Sequence, residues 1–300
     1  MASPQKARYF LAMHGKTCVV TGANAGIGKA MATELARRGA DVVLVCRNRS
    51  RGEAALAEVR KAAGHDRLAL MLCDIGDLTA VRAFAAEFRA TGRRIDVLAN
   101  NAGVFLPARQ LSAQGYELML AINHLGPFLL TNLLLDRLEG GRVVSTSSFG
   151  HAVGRIAFDD LQCERRYSAG VQYGVTKLCN ILFTRELARR APRVVATCFH
   201  PGGVATEFAQ DQPGWLSTVM RVLGPWVLRT PAKGAETGVW LATADEAAGL
   251  SGSYCVDRRV RRPWGQGTDD VVAHELWRVS EELTGLAHAE AAARRPEAGR

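Results

Sequence analysis

The chain has 300 residues, of which 48% are hydrophobic and 22% are charged, so it can bury a sizeable core as one large α/β domain or two small ones. The formal net charge is +9, but no basic run is interleaved with aromatic residues, and no nucleic-acid partner is predicted. The densest basic cluster, residues 258–262, is predicted to be a solvated loop. A basic surface also suits an anionic cofactor or an acidic membrane surface.

The cysteines and the N-terminus bear on the compartment. Seven cysteines are scattered along the chain without a Cys-x-x-Cys pair, which predicts a reducing environment, a cytoplasmic location and no metal site. The apolar run within residues 1–15 is too short for a signal-peptide core or a membrane span. We therefore expect a soluble chain with no transmembrane segment.

Short apolar runs alternate with segments of helical periodicity along the chain. The predicted strands are residues 17–20, 41–45, 68–72, 95–99, 142–146, 193–198 and 253–256, and the predicted helices are residues 28–38, 50–63 (capped by Ser50), 79–90, 114–138 and 172–190. This alternation predicts an α/β fold with a doubly wound parallel sheet of Rossmann type, covered by helices on both faces. We predict a single domain over residues 15–286, a short N-terminal extension (1–14) and a disordered tail (287–300).

A glycine-rich turn joins the first predicted strand to the first helix. Glycines at such a turn let the backbone approach a pyrophosphate, which the helix N-terminus attracts. The alternative is a plain strand-to-helix turn. We predict that the turn binds a dinucleotide through Gly22, Asn24, Gly26, Ile27 and Gly28.

The end of the second strand indicates which nicotinamide cofactor is bound. An NAD site usually has an acidic residue about 20 residues beyond the glycines, but Cys46 and Arg47 occupy that window here. Arg47 is suited to pair with a 2′-phosphate, with Lys29 or Arg51 assisting. The alternative is that Arg47 is merely exposed. The pattern favours NADP, with NAD as the alternative.

Two further strand ends carry polar candidates. Asn101, Ala102 and Gly103 follow the fourth strand, at the sheet edge where ligands bind in open α/β sheets. Ordinary turn chemistry explains the same residues. Asp74, after the third strand, is placed either to accept a hydrogen bond from an adenine amino group or to cap a turn.

A serine, a tyrosine and a lysine carry the predicted chemistry. Tyr173 and Lys177 lie four positions apart on one predicted helix and therefore share a face. A nearby ammonium favours the phenolate, so we expect Lys177 to lower the pKa of Tyr173 towards the range of a general acid or base. Ser148 lies upstream of this pair. A Tyr-x-x-x-Lys pattern by itself more often marks a solvated pair.

Together these motifs resemble the short-chain dehydrogenase/reductase family over about residues 15–285. The segments that carry the resemblance are Thr21–Gly28, Asn100–Gly103, Asn123, Ser147–Ser148, Tyr173–Lys177 and Pro201–Thr206. Residues 123–128, 177–183 and 200–202 resemble the retinol dehydrogenase branch in particular.

The resemblance implies a role for each matching position. Tyr173 is the general acid or base, Lys177 lowers its pKa and bonds the nicotinamide ribose, and Ser148 bonds the substrate oxygen. Asn123 holds a water of the proton path, and Thr206 bonds the nicotinamide carboxamide. The remaining matching positions with a cofactor role are Pro201, Gly202 and Val204. The family also implies a homo-oligomer formed through the long helices.

Other residues near these motifs are weaker candidates. Ser147 could be a turn residue, and the sequence does not prove the choice between it and Ser148. Tyr167 lacks a lysine four positions later. His151 and His200 have no triad spacing, so we interpret them as packing or loop residues.

These patterns predict an oxidoreductase acting on a small-molecule carbonyl or alcohol with NADP(H). The alternatives are an NAD-linked enzyme of the same family and a cofactor-binding scaffold without turnover. Residues 214–230 are rich in large apolar side chains, of which Leu216, Val219, Met220 and Leu223 share a helical face. That face either packs on the domain or roofs an apolar substrate pocket, which would favour lipophilic substrates.

Overall fold

A computed structural model describes residues 13–203 and 229–286. The predicted tail (287–300), most of the predicted N-terminal extension and most of the apolar segment 214–230 lie outside the described residues. None of the described helices is both long and apolar enough to cross a lipid bilayer.

The described residues form one sheet of eight strands in the order β3-β2-β1-β4-β5-β6-β7-β8. Strands β1 to β7 pair in parallel, and β8 pairs antiparallel with β7. The strand order reverses on either side of β1, which opens a crevice at the carboxyl ends of β1 and β4. The strands are β1 (Thr17–Thr21), β2 (Asp41–Cys46), β3 (Leu68–Leu72), β4 (Val97–Asn100), β5 (Arg142–Thr146), β6 (Val195–His200), β7 (Tyr254–Val256) and β8 (Arg259–Arg261).

Helices connect the parallel strands. The α-helices are α1 (Gly26–Arg37), α2 (Arg49–Ala63), α3 (Leu78–Ala90), α4 (Leu118–Leu120), α5 (Gly126–Leu133), α6 (Ala169–Arg190), α7 (Pro231–Thr243) and α8 (Asp270–Thr284). A π-helical turn, Ala121–Leu125, joins α4 to α5. A 3₁₀ turn, Phe149–Val153, follows β5.

Each face of the sheet has its own apolar core. Helices α3, α5, α6 and α8 pack on one face, and α1, α2 and α7 pack on the other. Alternation along the strands supplies both cores: Val19 and Val43 point to the first face, and Cys18 and Val42 to the second. The predicted doubly wound α/β fold is therefore confirmed.

The predicted helix over residues 114–138 is wrong as a single element. Gly115 has a left-handed backbone (φ +80°), and α4 begins only at Leu118. The buried carboxylate of Glu117 accepts hydrogen bonds from the Met119 and Leu120 amides at 2.9 and 2.7 Å, which fixes the start of the helix. The π-helical turn and a 3₁₀ turn, Leu135–Arg137, then interrupt it. Apolar periodicity does not distinguish these from continuous helix.

Two local predictions are corrected. The N-cap of α2 is Asn48, whose side chain accepts from the Arg51 amide, so Ser50 lies inside the helix. Part of the predicted solvated loop 258–262 is the edge strand β8, although its residues are exposed. The β7–β8 hairpin turns through Asp257 and Arg258, both with positive φ, a conformation that the sequence did not indicate because neither is glycine.

Candidate active site

The glycine-rich turn lies between β1 and the N-terminus of α1. Gly22 and Gly26 have positive φ angles of 65° and 54°. A Cβ atom on Gly28 would lie 2.3 Å from the Gly22 carbonyl oxygen and 2.4 Å from Asn101 Nδ2, so no side chain fits there. Asn24 and Ile27 lie half-buried in the same turn. The backbone at these glycines is not covered by side chains and lies at the N-terminus of α1, a position that suits a pyrophosphate.

Thr21 ties this turn to the loop after β4. Its hydroxyl donates to the Ala99 carbonyl and accepts from the Asn101 and Ala102 amides, both at 3.0 Å. The Asn101 side chain in turn donates to the Thr21 carbonyl. Sequence reasoning did not give Thr21 this role, although a threonine at the end of a buried strand was a usable signal. The predicted residues Asn101, Ala102 and Gly103 therefore border the glycine turn.

Asn123 lies in the π-helical turn and is fully buried. Its side chain accepts from the Val104 amide at 2.7 Å and donates to the Val104 carbonyl at 2.9 Å and to the Thr176 hydroxyl at 3.0 Å. These bonds join the loop after β4 to α6. A Cβ atom on Gly103 would lie 3.2 Å from both Asn123 Oδ1 and Lys177 Nζ, so the three residues converge.

Lys177 is buried, with 3% of its surface exposed. Its ammonium lies 3.4 Å from the Thr146 carbonyl oxygen and 5.4 Å from the centroid of the Tyr173 ring. Burial lowers the pKa of Lys177 to about 8. A lysine with that pKa exchanges its proton close to neutral pH.

Tyr173 lies between the 3₁₀ turn Phe149–Val153 and the loop after β4. The Phe105 ring meets its ring edge-on at 5.6 Å. Burial raises the pKa of Tyr173, and a hydrogen bond from the Ser148 side chain opposes that rise. The prediction that Lys177 brings the pKa of this phenol below its ordinary value is wrong for the site as the structure has it. The ammonium lies over the ring, and desolvation of the phenol is the largest cause of the shift.

The structure separates the two adjacent serines. Ser147 is buried, and its hydroxyl donates to the Lys177 carbonyl at 2.8 Å, so it anchors α6. Ser148 lies beside Tyr173, and its hydroxyl accepts from the Gly150 amide at 3.1 Å. Of the two serines, only Ser148 is therefore placed to meet a substrate oxygen beside Tyr173.

Arg47 and Asp74 meet at the ends of β2 and β3. Their side chains approach to 3.8 Å, and Arg47 is 72% exposed. Asp74 also accepts a hydrogen bond from the Gly76 amide at 2.9 Å. It therefore caps a turn, which is one of the two roles that the sequence predicted for it. Lys29, a predicted helper of Arg47, pairs with Glu58 at 2.7 Å. The Arg47 guanidinium thus lies at the sheet edge with one weakly placed carboxylate beside it.

The segment after β6 is described only in part. Pro201 is buried, and Gly202 has a positive φ of 84°. The Arg229 side chain lies against Gly202, where a Cβ atom would meet it at 2.6 Å. Val204 and Thr206, predicted to contact the cofactor, lie outside the described residues.

Three residues that the sequence set aside lie near the site. The Tyr167 hydroxyl donates to the Leu106 carbonyl at 2.8 Å. His151 Nδ1 lies 2.7 Å from the Ser148 carbonyl oxygen, and His200 Nδ1 accepts from the Phe149 amide at 3.1 Å. Burial is the main reason that the pKa of His151 is lowered and that the pKa of His200 is lowered to about 4.

Comparison with known proteins agrees with this geometry. The family model described as short chain dehydrogenase matches residues 16–216. Dehydrogenase/reductase SDR family member 13 of Bos taurus is 43% identical over 292 residues, covering 93% of this chain and 76% of that protein. Retinol dehydrogenase 11 of Mus musculus is 42% identical over 282 residues, covering 91% and 87%. The solved structure of an uncharacterised Mycobacterium paratuberculosis protein has a TM-score of 0.75 at 34% identity, covering 91% of this chain and 94% of that one.

A doubly wound sheet with a glycine-rich turn at its switch point, and serine, tyrosine and lysine side chains beside it, defines an oxidoreductase of the nicotinamide-dependent class. The family match and the relatives narrow this class. The chain belongs to the short-chain dehydrogenase/reductase family and resembles its retinol dehydrogenases.

Proposed function

We propose that this protein is an NADP(H)-dependent oxidoreductase that interconverts a lipophilic carbonyl compound and the corresponding alcohol. The observation that carries the proposal is the convergence of Ser148, Tyr173 and Lys177 beside the glycine-rich turn. The two rivals are an NAD-linked enzyme of the same family and a cofactor-binding scaffold without turnover.

Tyr173 is the proton donor in reduction and the acceptor in oxidation. Its hydroxyl, beside Ser148, is the ionisable oxygen at the point where a substrate carbonyl would meet both side chains. The Ser148 hydroxyl donates to the substrate oxygen as negative charge develops there. The nicotinamide, when bound, supplies or accepts the hydride.

Lys177 connects the phenol to the buried polar groups behind it. Its lowered pKa allows it to take up and release a proton near neutral pH. The Lys177 ammonium and the Asn123 amide both border Gly103, and this supports a proton path that runs from Tyr173 through Lys177 towards Asn123. Lys177 also remains the residue that would bond the nicotinamide ribose.

The glycine-rich turn and the exposed guanidinium of Arg47 fit a dinucleotide that carries a 2′-phosphate. The backbone from Gly22 to Gly28 would hold the pyrophosphate, since a Cβ atom at Gly28 would fill that space. Arg47 would pair with the 2′-phosphate, because it is largely exposed and its neighbour Asp74 lies 3.8 Å away. Asn101 and Ala102 would border the same cofactor.

Two observations favour a lipophilic substrate. Aromatic side chains lie near Tyr173 and Ser148: Phe105 contacts the Tyr173 ring, and Phe149, next to Ser148, is 54% exposed and meets the Trp264 ring at 5.2 Å. The relatives named above include a retinol dehydrogenase.

The seven free cysteines support a cytoplasmic, reducing location.

The test is a steady-state assay of a homologous aldehyde series with NADPH and NADH in parallel. We expect kcat/KM with NADPH to rise with chain length until the pocket is full, each buried methylene contributing up to ~0.8 kcal/mol. Short charged aldehydes serve as the control and should react poorly. A flat series contradicts the lipophilic substrate, and equal use of NADH contradicts the cofactor choice. If no aldehyde of the series is turned over, the result favours the cofactor-binding scaffold.

A further inference from the structure

The peptide group that follows Ser148 is held at both ends by imidazoles. Its carbonyl oxygen lies 2.7 Å from His151 Nδ1, and its N–H, which belongs to Phe149, donates to His200 Nδ1 at 3.1 Å. His151 lies three residues further along the 3₁₀ turn, whereas His200 ends strand β6. One peptide plane is thus fixed from two directions by side chains from different elements.

The hydrogen-bond partners determine which nitrogen of His151 carries a proton. Its Nε2 accepts from the Trp264 amide at 3.1 Å, and a backbone N–H can only donate. The proton must therefore be on Nδ1, where it is donated to the Ser148 carbonyl. The ring is 2% exposed and packs edge-on against Tyr254 at 5.0 Å, so its orientation is fixed by its surroundings.

His200 requires the opposite arrangement. Its Nδ1 accepts from the Phe149 amide, so any proton of the neutral ring is on Nε2. His200 must be neutral for its Nδ1 to accept from the Phe149 amide, and His151 must be neutral for its Nε2 to accept from the Trp264 amide. The lowered pKa values of His151 and His200 agree with this requirement.

The Ser148–Phe149 peptide lies so close to the reacting groups that a small movement of the peptide would displace their side chains. The turn packs directly on α6, since a Cβ atom on Gly150 would lie 3.3 Å from the Tyr173 ring and one on Gly174 would lie 2.5 Å from the Gly150 carbonyl oxygen. The Ser148 hydroxyl is oriented by the same turn through the Gly150 amide. A rotation of the Ser148–Phe149 peptide would therefore move the serine hydroxyl relative to Tyr173.

We propose that His151 and His200 form a peptide clamp that positions the Ser148 hydroxyl against Tyr173, a role that rests on the function proposed above. Neither imidazole exchanges a proton with substrate, so both are positioning residues. Their hydrogen bonds act on one peptide plane, and their effects on turnover must be coupled.

The first test is spectroscopic and does not need turnover. In ¹⁵N-labelled protein near neutral pH, two-bond ¹⁵N–¹H correlation spectra distinguish the two neutral imidazole tautomers and the imidazolium. We expect His151 as the Nδ1–H tautomer and His200 as the Nε2–H tautomer, each assigned by loss of its signals in the His151→Asn or His200→Asn variant. The Nε2–H tautomer at His151, or the Nδ1–H tautomer or an imidazolium at His200, overturns the clamp.

The second test compares conservative and apolar substitutions. Asparagine places an amide near the position of Nδ1 and keeps a polar partner for the peptide, whereas phenylalanine removes it. We expect His151→Phe and His200→Phe each to lower kcat about tenfold, the scale of one lost hydrogen bond. We expect His151→Asn and His200→Asn to keep most of kcat, with the affinity for NADPH unchanged in all four.

The double variant His151→Phe/His200→Phe completes a double-mutant cycle. Because one peptide is released in either single variant, the combined loss of kcat should be much smaller than the product of the two. Multiplicative losses, or losses in the asparagine variants equal to those in the phenylalanine variants, overturn the inference. If the wild-type protein turns over no carbonyl or alcohol, the proposed function fails, while the tautomers still decide whether the clamp exists.

Discussion

At the scale of single residues, the site depends on which hydrogen-bond partner each side chain finds. Ser147 and Ser148 are identical in chemistry and adjacent in sequence, yet the Ser147 hydroxyl donates to the Lys177 carbonyl and Ser148 lies beside Tyr173. The same contrast holds for Tyr167 and Tyr173. Tyr167 donates to a backbone carbonyl, whereas Tyr173 lies beside a buried ammonium.

Replacing Tyr173 by phenylalanine keeps the ring but removes the ionisable hydroxyl. We expect turnover to fall at least ~100-fold, the scale of general acid–base catalysis, with cofactor affinity largely kept. Tyr167→Phe is the matched control and should retain turnover within a few fold, because its hydroxyl donates to the Leu106 backbone carbonyl. Steady-state kinetics and NADPH titration measure both. Near-normal turnover in a folded Tyr173→Phe protein would remove Tyr173 from the mechanism.

Replacing Arg47 by aspartate puts a repelling charge where a phosphate partner is proposed. We expect NADPH affinity to fall roughly ten- to a hundredfold, the equivalent of a charge-assisted hydrogen bond of about 1.5–3 kcal/mol, with little change for NADH. Arg49→Asp makes the same charge change at the start of α2, where Arg49 is 70% exposed and pairs with Glu53. Equal losses in both variants would indicate a general electrostatic effect and contradict a specific role for Arg47.

At the scale of elements, close backbone contact builds the site where strands turn into helices. The β1–α1 turn touches the loop after β4 through Gly28 and Asn101, and the 3₁₀ turn after β5 touches α6 through Gly150 and Gly174. Neither contact tolerates a larger residue without a shift. These two contacts set the distances between the proposed cofactor cradle and the reacting hydroxyl.

Gly28→Ala tests the first of these contacts. A methyl group there would lie 2.3 Å from the Gly22 carbonyl oxygen, so the turn must move, and we expect a loss of stability of about 1–3 kcal/mol with weakened binding of either cofactor. Gly170→Ala is the control, because nothing lies within 4 Å of its Cβ position and the site is helical. The control should be neutral or stabilise by up to about 1 kcal/mol. Urea unfolding and cofactor titration provide the measurements, and unchanged cofactor affinity in Gly28→Ala would refute the proposed cradle.

At the scale of the whole molecule, burying Lys177 opposes folding in a way that depends on pH. The pKa of Lys177 is about 8 in the folded protein, against 10.5 for an ordinary lysine. Below about pH 8 both folded and unfolded chains hold the proton, and the full burial penalty applies. Between those two pKa values the unfolded chain binds more protons, so this contribution to the free energy of unfolding rises with pH.

The variant Lys177→Met lacks this titration. From about pH 7.5 to about pH 10, we expect the stability of wild type relative to Lys177→Met to increase by about 2 kcal/mol. Thiols and phenols that titrate in the same range are common to both proteins and cancel in the difference. Urea unfolding at three pH values measures it. A pH-independent difference would show that Lys177 keeps an ordinary pKa in the folded state.

Sequence patterns were sufficient for features that depend on local periodicity and on strand ends. Alternating apolar runs predicted the parallel sheet, and the residues after β1, β2, β3 and β4 meet at one edge because parallel strands end on the same side. Properties that depend on tertiary surroundings were not predictable. Examples are the raised pKa of Tyr173 and the bonds that link His151 to Trp264 and His200 to Phe149, which depend on residues distant in the chain. The break of the predicted 114–138 helix depends instead on Gly115 and on the Glu117 carboxylate, whose capping role apolar periodicity does not indicate.

The π-helical turn at Ala121–Leu125 has a consequence for variation in chain length. Its closing bond runs from the Gly126 amide to the Ala121 carbonyl, five residues back, so the turn holds one residue more than an α-helical turn. It is geometrically equivalent to a one-residue insertion, and removing a residue there would rotate everything before it by about 100° relative to α5. Asn123 would then leave Val104 and Thr176. A single-codon deletion in this turn would therefore disconnect Asn123 from α6 more completely than a substitution of one of its partners.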